Sequence, residues 1–141
     1  AQRSSNDALF IVPPGMEGFR EYARRSIYVD FKLFPASTVS AVPEWRERLD
    51  LISAPDGAAR AAAGWPAVPL WDRSYASRNT PARIAELLRT TGADYFVWDR
   101  RGLDVPPYVS LPRDPDPAVH VVYANDRFEV YALAGAAHAA R

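Results

Sequence analysis

Charged side chains that could bind or transform a ligand follow two apolar segments of the chain. Asp30 lies near the end of "SIYVDF" and Lys32 follows that segment; Asp99 ends "ADYFVWD" and Arg100 follows it. If both segments are parallel strands of one sheet, these residues lie at the edge where open α/β sheets bind ligands. The plainer interpretation, which the sequence favours, is that they mark the points where two strands leave the core.

A second group of charged residues lies between the first two predicted strands. The charged positions are Glu17, Arg20, Glu21, Arg24 and Arg25. Their spacings suit ion pairs three and four residues apart on a solvent-facing helix. A basic cleft for an anionic headgroup is the alternative interpretation of the same arginines.

Short motifs with known chemistry are weak or absent. "PPGMEG" follows a predicted strand, but it lacks the G-x-G-x-x-G pattern, and its prolines have no N–H to offer a phosphate. Asp114 and Asp116 spell the D-x-D that some glycosyltransferases use to hold a metal, yet alternating prolines favour a solvated loop. His120 and His138 are far apart, and the chain has no cysteine and no G-x-S-x-G. The sequence therefore predicts no catalytic residue, metal site or cofactor in this chain.

The apolar segments predict an α/β domain. "ALFIVPP" is continuously apolar, as in a strand that is covered on both faces. Phe19 and Tyr22 follow at helical spacing and are expected to pack onto the sheet beside Ile27 and Val29. Strand, short helix and strand then form a βαβ unit with a right-handed crossover.

Two helices are predicted from their end signals and apolar stripes. The first begins near Pro43 and buries Trp45, Leu49 and Ile52. The second runs from the N-cap Thr80 to Gly92, which suits the position after a helix end.

The segment between these helices, residues 53–79, is predicted to be a long surface excursion. Pro66 and Pro69 interrupt it, and Trp65, Trp71 and Tyr75 are expected to anchor it.

The end of the chain predicts a β-hairpin. "VHVVY" and "RFEVYAL" flank Asn125 and Asp126, which tolerate positive φ in a tight turn. The predicted fold is a three-layer α/β sandwich with about five strands in the order 2-1-3-5-4. Its sheet is expected to be mostly parallel and Rossmann-like, with the hairpin at one edge. Residues 1–135 form one domain, and the Ala-rich residues 136–141 form a tail.

Composition excludes some functions and leaves others open. The chain has 141 residues, with 17 basic and 17 acidic side chains and no net charge. A nucleic-acid partner is not expected, because such proteins carry a basic surplus that displaces counterions from phosphates. No apolar run approaches the roughly 18 residues of a membrane span. The chain begins at Ala1 and its only methionine is Met16, so we expect a processed chain or an excised domain.

Three segments, in this order, resemble one group of proteins: "DALFIVPPGMEGFREYARRSIYVDFK", "EWRERL" and "TGADYFVWDR…VVYANDRFEVYAL". They resemble the carboxy-terminal soluble domains of bacterial multi-pass membrane proteins. The closing segment is similar to the extracytoplasmic tail of GT-C type, polyprenyl-phosphate-dependent membrane glycosyltransferases. The resemblance covers most of the chain except about residues 53–75.

The resemblance implies a non-catalytic accessory domain, because the catalytic acid of the GT-C group lies in a loop between membrane helices. It also implies a place at the cell membrane, facing the periplasm or exterior. The expected partners are the transmembrane portion of the same polypeptide and a lipid-linked sugar or glycan. The positions that match the resembling proteins are Arg20, Arg25, Lys32, Trp45 and Arg48.

Two other functions stay open. One is a stand-alone α/β enzyme, or a protein that binds a nucleotide or sugar phosphate, using the polar edge with Asp30, Lys32, Asp99 and Arg100. The other is a protein-interaction module that uses the aromatic excursion around Trp65 and Trp71.

Overall fold

A computed structural model describes residues 6–29, 34–35, 37–53, 57, 61, 67–99 and 117–135. The strands are β1 (Leu9–Ile11), β2 (Ser26–Ile27), β3 (Tyr95–Asp99), β4 (Val119–Ala124) and β5 (Phe128–Leu133). The helices include α1 (Phe19–Ala23), α2 (Val42–Ser53), α3 (Val68–Arg78) and α4 (Pro81–Thr91), with a short 3₁₀ helix at Val39–Ala41. Several residues discussed above lie outside the described ranges: Asp30, Lys32, Trp65, Arg100, Asp114, Asp116 and His138.

The sheet has the predicted strand order, β2-β1-β3-β5-β4. β1 is parallel to β2 and β3, whereas β5 is antiparallel to β3 and β4. The prediction of a mostly parallel sheet is wrong, because the antiparallel ladders contain four and five residue pairs and each parallel ladder contains two. β1 is short because Pro13 and Pro14 have no N–H to continue it.

Both faces of the sheet carry buried apolar side chains, as the continuous apolar run in β3 predicts. Phe96 and Trp98 join a cluster with side chains from α2, α3 and α4. Tyr95 and Val97 point to the other face. There they pack in a second cluster that includes Phe19 of α1 at its margin.

The predicted ends of α4 are confirmed. The Thr80 side chain accepts a hydrogen bond from the Arg83 N–H at 3.3 Å. Gly92 has φ of +69° and donates its N–H to the Leu88 carbonyl at 3.1 Å. The stripe on α2 is also present, since Leu49 and Ile52 are fully buried and Trp45 packs against the same cluster.

The prediction of a surface excursion over residues 53–79 is wrong for its second half. Residues 68–78 form α3, and Trp71 and Tyr75 are 0% and 1% exposed. Pro69 does not break this helix because it lies in the first turn, where the N–H has no partner within the helix. Trp71 is therefore a core residue, and an interaction surface built on it is not available.

The expectation that Tyr22 packs onto the sheet is wrong. Tyr22 is 89% exposed, while Phe19 is half-buried with its ring 5.3 Å from that of Phe10. α1 has only five residues, between Gly18 at φ +76° and Arg24 at φ +51°. So short a helix presents one narrow face to the sheet, and Phe19 occupies it.

The hairpin between β4 and β5 is present, but its turn differs from the predicted one. Arg24 is the one non-glycine residue with positive φ among those described, so Asn125 and Asp126 do not adopt that conformation. Instead, the Asn125 side-chain oxygen accepts the N–H groups of Arg127 and Phe128 at 2.9 and 2.6 Å. An asparagine side chain therefore organises the turn.

None of the helices in the described part of the chain is long and apolar enough to cross a membrane.

Candidate functional site

The neighbouring strands β1 and β3 define the place where a ligand would be expected. From β1 the chain moves to β2 on one side, and it later returns to β3 on the other side. Such a reversal at the carboxyl ends of adjacent parallel strands is where open α/β sheets form a ligand crevice. We call this region the switch point; the segment after β1, the end of β3 and helix α3 surround it.

The Tyr75 side chain enters the switch point from α3. β1 stops pairing with β3 at Ile11, ahead of Pro13, whose missing N–H cannot bond to β3. The buried Tyr75 hydroxyl donates to the Val97 carbonyl at 2.8 Å and lies 3.4 Å from the Ile11 carbonyl. Tyr75 therefore fills the gap that opens where β1 leaves β3.

Asp72 lies one turn before Tyr75 and binds the segment that follows β1. Its Oδ1 accepts the Gly15 N–H at 2.8 Å. A Cβ atom on residue 15 would lie 2.4 Å from both Asp72 Oδ2 and Val68 Cγ1. Only glycine fits this close approach of the chain to α3, and its position fixes the Asp72 carboxylate.

Asp99, the last residue of β3, forms an ion pair with Arg127 just before β5. Arg127 donates from Nε and Nη2 to Asp99 Oδ2 at 3.0 and 2.9 Å. The Asp99 side chain is 8% exposed and that of Arg127 is 56% exposed. The antiparallel register brings the pair together, because Asp99 lies opposite Phe128.

Burial dominates the electrostatics of the switch point. It raises the pKa of Asp72 to about 6, the Gly15 N–H opposes this rise, and the Asp99 carboxylate adds to it. Burial also raises the pKa of Tyr75 well above its usual range, with a further contribution from Asp72. A carboxyl that titrates near neutral pH has the property of a general acid or base. Among the described residues, no group of three or more His, Cys, Asp and Glu could hold a metal ion.

The arginines predicted on the first helix have different surroundings. Arg20 is exposed. Arg25 is half-buried and donates from Nη1 to the carbonyls of Ala23 and Arg24, at 3.5 and 3.0 Å. Arg25 thus bonds to carbonyls at the end of α1, whereas Arg20 points into solvent.

Trp45 and Arg48, the candidate residues on α2, contact aromatic side chains that follow β2 in the chain. The Trp45 ring meets that of Phe34 edge to face with centroids 5.0 Å apart. Arg48 lies over the Tyr28 ring at 5.4 Å and pairs with Glu44. These contacts suit packing of α2 onto the chain after β2.

The sequence pointed to Asp99 but missed Asp72, Tyr75 and Arg127 as members of one site. Asp72 and Tyr75 lie three residues apart, so a helix over 68–78 would have placed them on one face. That helix was not predicted from the sequence because Pro66 and Pro69 indicated a break. No sequence signal pointed to Arg127, because the strand register of β3 and β5 determines its pairing with Asp99.

Comparison with known proteins gives a family match over the first part of the chain. A protein-family model described as a domain of unknown function (DUF6798) matches residues 1–52. This region includes β1, α1, β2 and all but the last residue of α2, and it leaves out Asp72, Asp99 and Arg127. No curated protein and no solved structure matches the chain.

Proposed function

We propose that this chain is a non-catalytic, extracytoplasmic accessory domain of an integral membrane protein that handles lipid-linked sugars. The observation that carries the proposal is that the polar groups of the switch point bond to one another and to the backbone. Gly15 donates to Asp72, Tyr75 donates to Val97, and Arg127 donates to Asp99. These groups hold the ends of β1 and β3 to α3 and the hairpin.

Internal bonding favours a structural role because a catalytic group must reach a substrate atom. The one proton of the Tyr75 hydroxyl is directed at the Val97 carbonyl. Asp99 Oδ2 accepts two hydrogen bonds from Arg127. The order of the three resembling segments supports the second half of the proposal, the place outside the cytoplasm.

We further propose a three-layer arrangement in which α1 belongs to the layer opposite α2, α3 and α4. The support is that Phe19 packs in the second cluster, while the longer helices contribute to the first. The transmembrane portion of the same polypeptide is the proposed partner, and a lipid-linked sugar or glycan is the proposed cargo of the whole protein.

A reporter fusion tests the proposed location. Alkaline phosphatase, which is active only outside the cytoplasm, is fused after Arg141 in the full-length gene product, and green fluorescent protein is fused at the same position as its counterpart. We expect phosphatase activity without fluorescence. Fluorescence without phosphatase activity, or a full-length gene product with no membrane segment, would overturn the proposal.

A second candidate function is binding of a nucleotide or sugar phosphate at the switch point. The observation in its favour is the Asp72 carboxyl, whose pKa is raised to about 6 at the place where α/β sheets bind ligands. Isothermal titration of the chain with nucleotides, nucleotide sugars and sugar phosphates tests it. Binding that Asp72→Asn weakens and Glu47→Gln leaves unchanged would establish this second function, because Glu47 is exposed on α2.

A further inference from the structure

Helix α1 exposes an aromatic side chain that its sequence spacing would bury. Tyr22 is 89% exposed, the largest fraction among the large apolar side chains described as exposed. Its ring lies against Gly18, where a Cβ atom would come within 2.7 Å of Tyr22 Cε2. The ring therefore rests on backbone and turns the rest of its surface to solvent.

Two arginines lie one turn apart on the same short segment. The Arg24 N–H donates to the Arg20 carbonyl at 2.9 Å, which sets this spacing. Both side chains are exposed, and within the described part of the chain neither forms an ion pair or a side-chain hydrogen bond. Like charges at this spacing repel and weaken a helix. Glu21 lies between them in sequence, so the exposed patch of Arg20, Glu21 and Arg24 keeps a net positive charge.

The backbone at Arg24 departs from ordinary geometry. Arg24 has φ of +51° and ψ of +46°, the left-handed conformation that glycine adopts without steric cost and other residues rarely adopt. Exposed aromatic surface, neighbouring like charges and an unfavourable backbone conformation thus coincide on α1 and on the residue that directly follows it. Backbone strain, and residues that local structural preferences disfavour, are concentrated at functional sites.

From this coincidence we propose that Arg20, Tyr22 and Arg24 dock the domain onto the anionic phospholipid surface of the membrane. This proposal rests on the proposed function, which places the domain beside a bilayer. Arginine bonds well to phosphate oxygens, and tyrosine prefers the boundary between headgroups and acyl chains. The exposed arginines therefore match the lipid phosphates, and the exposed tyrosine ring matches the boundary between headgroups and acyl chains. Arg25 is not part of the docking surface, because it bonds to carbonyls at the end of α1.

Co-sedimentation with vesicles tests the docking surface on the 141-residue chain at low ionic strength. The vesicles contain phosphatidylcholine alone or with about one-third phosphatidylglycerol. Each basic residue near an anionic bilayer strengthens binding by about fivefold, so Arg20→Gln/Arg24→Gln should lower the partition coefficient about twenty-five-fold. Tyr22→Ser should lower it as well. The control, Arg73→Gln/Arg89→Gln, removes the same charge from exposed positions on α3 and α4 and should retain most of the binding.

Several outcomes would overturn the proposal. They are an absence of binding to anionic vesicles, an equal loss in both double variants, and amide shifts at Arg20 and Arg24 with inorganic phosphate but no vesicle binding. The last outcome would indicate a site for a free anion. Because the vesicle assay does not depend on where the cell places the domain, its failure is distinct from failure of the reporter fusion.

Discussion

The backbone N–H of Gly15 donates to Oδ1 of Asp72 across 57 positions of sequence, at 2.8 Å. Residue 15 has no space for a side chain, since a Cβ atom there would lie 2.4 Å from Asp72 Oδ2 and Val68 Cγ1. This contact fixes the chain after β1 to α3, and it determines how Asp72 faces the switch point.

Gly15→Ala should destabilise the chain by about 1 to 3 kcal/mol, because the added methyl group forces α3 and the segment after β1 apart. Unfolding in urea, followed by tryptophan fluorescence, measures the change. Gly57→Ala is the control, since nothing lies within 4 Å of a Cβ atom at that position. If the two alanine variants have the same stability, the contact does not hold α3 in place.

Asp72→Asn should stabilise the chain at pH 7.5. The pKa of Asp72 rises from an ordinary value of 3.8 to about 6 on folding. The folded chain therefore binds more protons than the unfolded chain between these values, and the residue's contribution to stability falls as the pH rises through that range. Asparagine can still accept the Gly15 N–H and carries no charge.

The difference between these two pKa values corresponds to at most about 3 kcal/mol of unfolding free energy. We expect a gain of about 1 to 2 kcal/mol at pH 7.5 because Asp72 is partly exposed and solvent screens its charge. At pH 4 the gain should be close to zero, because Asp72 is then protonated in the folded wild-type chain. Urea unfolding at both pH values provides the measurement. A gain of equal size at both values, or a loss at pH 7.5, contradicts the assignment of a buried charge.

Tyr75→Phe should cost about 1 to 3 kcal/mol, because it removes the donor to the buried Val97 carbonyl and leaves the ring in place. The stacked contact with Phe96, at 4.9 Å between centroids, is retained. Tyr22→Phe removes the same hydroxyl from an exposed ring and should change stability by less than about 0.5 kcal/mol. Equal stability of the two variants would mean that the Tyr75 hydroxyl does not close the gap between β1 and β3.

Phe19→Ala should cost about 1 to 3 kcal/mol, below the 3 to 5 kcal/mol typical of fully buried aromatic residues, because Phe19 is half-buried. Tyr22→Ala should have little effect on stability. Thermal unfolding of the two variants side by side checks the orientation of α1. A larger loss for Tyr22→Ala would show that the helix presents its other face to the sheet.

The features that the sequence predicted correctly depend on local signals. Thr80 and Gly92 mark the ends of α4 by side-chain and backbone chemistry that acts within one turn. The predicted strand order agreed with the crossover rule for the first βαβ unit and with the hairpin at the end of the chain.

The wrong predictions concern structural features that residues close in sequence do not determine. Pro69 suggested a break, but proline is compatible with the first turn of α3. Tyr22 had the spacing of a buried residue, yet α1 is too short to bury two aromatic side chains. Asp72 was missed because its partner, Gly15, is brought close only by the packing of α3 on the sheet.

A nuclear magnetic resonance titration tests whether the polar groups of the switch point hold the fold together without binding a ligand. The backbone amide signals of Gly15, Asp72, Asp99 and Arg127 are followed while nucleotides, nucleotide sugars and sugar phosphates are added at constant pH and ionic strength. We expect these four signals to stay in place with every compound. Saturable shifts confined to these residues, lost in Asp72→Asn, would contradict the account and identify the switch point as a binding site.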